Sequence, residues 1–123
     1  MKRGDILNLF EILKRVNNDL DVVYAYLKLE PICDEIHKFR IGTVKKLAGD
    51  NHDEVMNKVS NQQVLSETEV EYYNKFMSEF SNVFNKYLDE DVDLELPKVD
   101  VDNVIKNNEL SVPESGFLIN TLK

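Results

Sequence analysis

From Val70 to Tyr87 the apolar residues Val70, Tyr73, Met77, Phe80, Phe84 and Tyr87 recur at alternating steps of three and four. That is a seam of period 3.5, and it predicts one long amphipathic helix over residues 66–88. Phe76, Val83 and Leu88 widen its apolar stripe. Ser66-Glu67-Thr68-Glu69 marks its start as a capping box, and Leu65 and Val70 can staple across it. Beyond the helix, Val92-Asp93-Leu94-Glu95-Leu96 alternates strictly, which predicts a β segment over residues 92–101 with one apolar and one acidic face. The phase of that alternation changes at Pro97-Lys98, because Val99 and Val101 stand at odd positions. A bulge, a bend or two short strands must absorb the shift. Two strands alone are marginal in water, so a ladder partner is expected either from Leu110–Val112 or from another polypeptide.

Upstream, Ile6, Leu9, Phe10, Leu13 and Val16 form one helical stripe, with Asp5 as the expected cap. Asn17-Asn18-Asp19 reads as a short polar turn. A second helix is expected from Leu20 to Ala48, its buried face carrying Val23, Leu27, Cys33, Ile36, Val44 and Leu47. Pro31 should kink it or break it without a real loop. Gly49 offers a left-handed stop. The first two helices should pair as an antiparallel hairpin over residues 1–48. Residues 49–65 are polar with a thin apolar trace, and predict a loop holding at most one helical turn. Near the C-terminus, Pro113 suits the first turn of a helix over residues 111–122 that buries Phe117, Leu118 and Leu122.

The expected class is therefore α+β, mostly α. It is a single domain in which a helical hairpin packs on the long amphipathic helix, followed by a small C-terminal β element and a short terminal helix. A hydrophobic share of 42% with 31% charged residues suits a folded chain rather than a disordered one. No apolar run approaches the roughly 18–20 residues a membrane span needs. The single Cys33 has no partner for an internal disulfide, which leaves no need for an oxidising compartment. The net charge of −8 falls on one half of the chain. Residues 1–66 hold 10 basic and 10 acidic side chains, and residues 67–123 hold 5 and 13. Such an acidic surface argues against direct binding to nucleic acid.

Candidate chemistry is sparse. His52 stands among Asp50, Asp53 and Glu54, but without a second His or Cys at metal-site spacing, and reads as part of a surface loop. Cys33 and His37 lie four residues apart, yet Cys33 fits the apolar stripe and reads as core. The scattered glycines make no phosphate loop. No catalytic, cofactor or metal residues are expected, and the chain reads as a non-enzyme.

The order of elements resembles a family of small uncharacterised phage and prophage proteins of Gram-positive hosts. The likeness lies in the helix entry Leu20-Asp21-Val22-Val23, the segment Phe39-Arg40-Ile41 to Leu47, and the acidic aromatic helix. It continues in the stretch Val92–Leu96 with Val99-Asp100-Val101, and in Val112-Pro113-Glu114 to Leu122. Pro31 departs from that pattern. The family brings no activity. It implies a non-catalytic structural, assembly or interaction protein of a bacteriophage, found in the virion or the host cytoplasm. Protein partners, self or another phage protein, are then expected, with a homo-oligomer favoured. The expected interface is Val92, Leu94, Leu96, Val99 and Val101 with Tyr73, Phe80, Phe84 and Tyr87. The alternative is an acidic mimic of nucleic acid that inhibits a host defence or transcription protein.

Overall fold

The computed structural model describes residues 1–16 and 19–123; the expected turn residues Asn17 and Asn18 lie outside them. Among the described residues the helices are α1 (Arg3–Leu13), α2 (Leu20–Leu47), α3 (His52–Ser60), α4 (Glu67–Leu88), α5 (Val101–Asn107) and α6 (Val112–Leu122). The helices take up 73% of the described residues, and those residues form no sheet. The expected α+β class with a β element over residues 92–101 is thereby corrected to all-α. The described residues fall into two compact units. A terminal unit holds Met1–Ile36 and Asp89–Lys123, and an inserted unit holds His37–Leu88.

The terminal unit is built around a core of Ile6, Leu9, Ile12, Leu13 and Val16 from the first helical region, and Val22, Ala25 and Leu29 from α2. Val99, Val101, Val104 and Leu118 complete it. Phe10 stacks on Tyr26 with ring centroids 4.6 Å apart, and Leu13 lines one hollow with Val22 and Val23. The partners descend along α2 as they ascend along α1, which is the mark of an antiparallel pair. Helix α1 begins at Arg3 with Lys2 at its cap, so Asp5 sits in the first turn rather than capping. Asp19 opens α2 by accepting from the Asp21 N–H at 2.9 Å.

The buried face of α2 is not the expected one. Val22, Ala25, Leu29 and Ile36 are buried, whereas Val23 and Leu27 face solvent. The helix runs through Pro31 without a break. Proline leaves the Leu27 carbonyl without its helical donor, but Pro31 and Leu27 are both exposed, so water can take the place of the lost N–H.

Residues 92–100 keep the period-two burial that the alternation predicted, but not a ladder. Val92, Leu94 and Leu96 pack partly buried against the core while Asp93 and Glu95 face water. The only β pairing of the extended segment 91–100 among the described residues is a single antiparallel bridge between Lys2 and Asp91. There, the Val92 N–H donates to the Met1 carbonyl at 2.8 Å and the Arg3 N–H to the Glu90 carbonyl at 3.2 Å. Met1–Arg3 thus pair with residues 90–92, where Leu110–Val112 or another polypeptide was expected as the partner. The phase change at Pro97 is absorbed by leaving the extended state. Asp100 accepts from the Asn103 N–H at 3.1 Å, and Val101 opens α5 instead of prolonging a strand. Helix α6 starts with a full capping box: the Glu114 N–H donates to Ser111 Oγ at 3.2 Å and the Ser111 N–H to Glu114 Oε1 at 3.0 Å.

In the inserted unit, residues 52–60 form a helix where a polar loop was expected. Asp53 and Glu54 suit the positive end of its dipole. It closes in a Schellman turn: Gln62 takes the left-handed conformation (φ 55°), and the Gln63 N–H donates to the Lys58 carbonyl at 2.8 Å. The cap of α4 forms as its sequence dictates, with the Ser66 N–H donating to Glu69 Oε1 at 3.0 Å and the Glu69 N–H to Ser66 Oγ at 3.2 Å.

Two predictions follow from which faces are buried and how α6 is capped. Leu29→Ala should cost about 2–5 kcal/mol in denaturant unfolding, whereas Leu27→Ala, two residues along the same helix, should stay within about 0.5 kcal/mol. Equal costs would reject the observed core face. Glu114 accepts from the Ser111 N–H and from the Arg15 guanidinium, which hold its carboxyl well below the usual 4.5, at about 2. A depressed folded-state pKa contributes stability that is complete above about 4.5 and is lost as pH falls toward about 2. Glu114→Gln should therefore flatten the loss of stability across that window in a chemical-denaturation series. An unchanged slope would mean that these hydrogen bonds do not form in solution.

Candidate interaction surface

The nine residues expected to form an interface do not form one surface. Val92, Leu94 and Leu96 lie partly buried on the terminal unit, and Val99 and Val101 belong to its core. These five are engaged with the chain itself. Tyr73, Phe80, Phe84 and Tyr87 belong to the inserted unit and are each partly buried.

Within that unit, α4 carries an aromatic column that differs from the expected seam. Tyr72, Phe76, Phe80, Phe84 and Tyr87 stack in succession, with centroids 6.2, 6.0, 5.4 and 6.5 Å apart. The steps are four, four, four and three, a ridge of i, i+4 contacts rather than a straight 3.5-period seam. Val70 and Met77 of the expected seam face solvent, and Phe76, expected only to widen it, is buried. Phe39 of α2 closes one end of the column by stacking on Tyr87 at 3.7 Å. His52 of α3 sits at the other end, 4.5 Å from the Phe76 ring. Offset aromatic contacts of this kind contribute about 0.5–1.5 kcal/mol each beyond the area they bury. The column is therefore spent on holding three helical segments together.

His52 is buried rather than in a surface loop. The Gly49 N–H donates to the Tyr72 hydroxyl at 3.0 Å, and that hydroxyl lies 2.7 Å from His52 Nδ1. The hydroxyl therefore bridges the backbone at Gly49 and the His52 ring. Gly49 has no positive φ, so it is not the expected left-handed stop. A Cβ there would meet Tyr72 Cε2 at 3.3 Å, so any larger residue would need the tyrosine ring to give by a few tenths of an ångström. Lys58 Nζ donates to both Glu69 oxygens, at 3.0 and 2.9 Å, and joins α3 to the cap of α4.

The acidic run after α4 is also engaged. Lys2 Nζ donates to Asp89 at 2.8 Å, Arg3 lies 3.5 Å from Glu90, and the terminal ammonium lies 3.9 Å from Asp91. Three basic groups at the start of the chain thus meet three consecutive acids.

Cys33 is partly buried. Burial pushes its thiol up to about 11, with Asp34 and Glu11 adding to the effect. His37 Nδ1 takes a hydrogen bond from the Arg40 guanidinium at 3.3 Å. Neither residue is arranged as an activated nucleophile. Among the described residues no group of His, Cys, Asp or Glu is placed to hold a metal ion, and no helix is long and apolar enough to cross a membrane.

The surface that the sequence reading missed lies on α2. Leu20, Val23, Tyr24 and Leu27 are exposed by 65, 37, 52 and 54%. They follow i, i+3, i+4 and i+7, one stripe on the side of the helix away from Val22, Ala25 and Leu29. A hollow of about 550 Å³ lies beside the stripe, lined by Tyr24, Leu27, Lys28, Glu95, Leu96 and Pro97. Val23 and Leu27 of this stripe were expected on the buried face, whereas the core set Val22, Ala25 and Leu29 lies on the opposite side of the same apolar segment. No family model matches the chain, and no curated protein or solved structure is significantly similar to it.

The burial of Cys33 carries a kinetic prediction. At pH 7.5 it should alkylate about 100-fold more slowly than an unperturbed thiol, with a rate that keeps rising with pH toward about 11. A rate that levels off near about 9 would reveal an ordinary exposed thiol.

Proposed function

We propose that the chain is a non-catalytic interaction protein of a bacteriophage, acting in the particle or its assembly as an oligomer or docked on a larger phage protein. One observation carries the interaction reading: the exposed apolar stripe Leu20, Val23, Tyr24 and Leu27 on a helix whose opposite face is already core. A helix apolar on both faces is stable in water when both are covered. Burying a side chain of this size contributes about 1.5–3 kcal/mol, so four in one stripe make a surface that gains from a partner. The phage setting rests on the order of sequence elements alone.

The alternative is an acidic mimic of nucleic acid, resting on the excess of acidic residues over residues 67–123; three of those 13 acids, Asp89, Glu90 and Asp91, face a basic group of the N-terminus.

The test uses the phage that encodes the chain. Leu27→Asp, at an exposed position, should lower the yield of infectious particles while the protein's level stays unchanged. Mass spectrometry should find the unaltered chain in virions or assembly intermediates. A chain absent from both, with normal yield from the variant, would reject the proposal.

A further inference from the structure

We infer that the partner on the α2 stripe is a second copy of this chain, packed antiparallel about a two-fold axis near Tyr24. This rests on the interaction reading above and adds to it the identity and orientation of the partner.

The argument comes from the charges beside the stripe. At about 100° per residue, Asp21 and Lys28 fall on the same flank of α2, close to the exposed stripe and bracketing its length. Both are exposed, and neither makes an ion pair with another described residue. In a two-fold antiparallel helix pair the like flanks face each other with their direction reversed. Asp21 of one copy then meets Lys28 of the other, and the exchange happens twice. A parallel pair would not make this exchange, because it sets each flank against the opposite one.

The apolar residues obey the same symmetry. With the axis near Tyr24, Leu20 of one copy faces Leu27 of the other, and Val23 faces Tyr24. The stripe is thus self-complementary, as an isologous interface has to be. The hollow beside Tyr24 and Leu27 receives the partner's Tyr24 ring. Its lining of Leu96, Pro97 and the Lys28 stem offers apolar walls, and Glu95 among them adds an acceptor.

The experiment is a mass measurement on the full purified chain by light scattering and sedimentation equilibrium, from about 1 μM to about 1 mM. A species of twice the 14.3 kDa chain mass is expected. Leu27→Asp should abolish it while circular dichroism retains the helical signal. Asp21→Lys and Lys28→Asp should each weaken the dimer about tenfold. The double variant Asp21→Lys/Lys28→Asp should return affinity to within about threefold of the original, since it restores each pair with reversed sign. A strict monomer at the highest concentration overturns the inference. So does a dimer indifferent to Leu27→Asp, or one the double variant fails to restore. A monomer combined with a particle defect from Leu27→Asp would remove the second copy and leave the interaction reading intact. A dimer without any particle defect would do the reverse.

Discussion

One apolar core has to be made from the two ends of the chain, and most of the terminal unit follows from that. Ile6, Leu9 and Leu29 come from the first 36 residues, and Val99, Val104 and Leu118 from the last 35. Each stretch is amphipathic, so each needs the other to cover its apolar side. Closing a flexible loop as long as the intervening segment would cost about 3–4 kcal/mol plus a constant. The segment is not flexible, however. It is a packed helical unit of its own, with α3 and α4 tied by Lys58 and Glu69 and by the His52–Tyr72 contact. The loop that remains to be closed is therefore shorter than the sequence suggests.

The clasp at Met1–Arg3 locks the far side of that closure. Backbone groups of residues 90–92 that would otherwise rely on water are paired with the N-terminus, and the charges of Lys2, Arg3 and the ammonium oppose Asp89, Glu90 and Asp91. Each exposed ion pair is worth little alone, about 0–1 kcal/mol. Their joint effect is register. Alternating charged and apolar residues from Asp91 to Leu96 could slip by two without changing face, and the hydrogen bonds to Met1 and Arg3 select one alignment.

The parts of this fold that were legible in the sequence are those fixed by local chemistry. The α4 capping box, the C-terminal helix with Pro113 in its first turn, and the stripe Ile6, Leu9 and Leu13 each depend on neighbours within a turn or two. The rest depends on partners distant in sequence. The alternation of Val92–Leu96 did report which side chains face the core, but period two is a property of any extended chain, with or without a ladder. It carries no information on whether a hydrogen-bonding neighbour exists. Asp100 was read as the polar face of a strand because its neighbours alternate, yet the same aspartate two residues before Asp102-Asn103 is a good cap. Helix α3 was hidden for another reason. Its apolar content is only Val55, Met56 and Val59, too few for a stripe, and it is held by His52 and Lys58, polar residues whose partners on α4 lie 20 and 11 positions away.

Helix α2 shows why a period alone cannot identify a core face. Val22, Ala25 and Leu29 and Leu20, Val23, Tyr24 and Leu27 both satisfy helical spacing, and hydrophobicity favours the second set, which is larger. The first set is buried because residues of α1, of the extended segment 92–100 and of α6 share one core with it, and Phe10 of α1 stacks on the neighbouring Tyr26. Small residues mark where another backbone comes near; large apolar ones mark only where water is unwelcome. By that criterion, the larger stripe is the one the chain leaves for something else to cover. Asp21 and Lys28 beside it limit what that can be, because a single helix with one acid and one base on the same flank is complementary to itself when reversed.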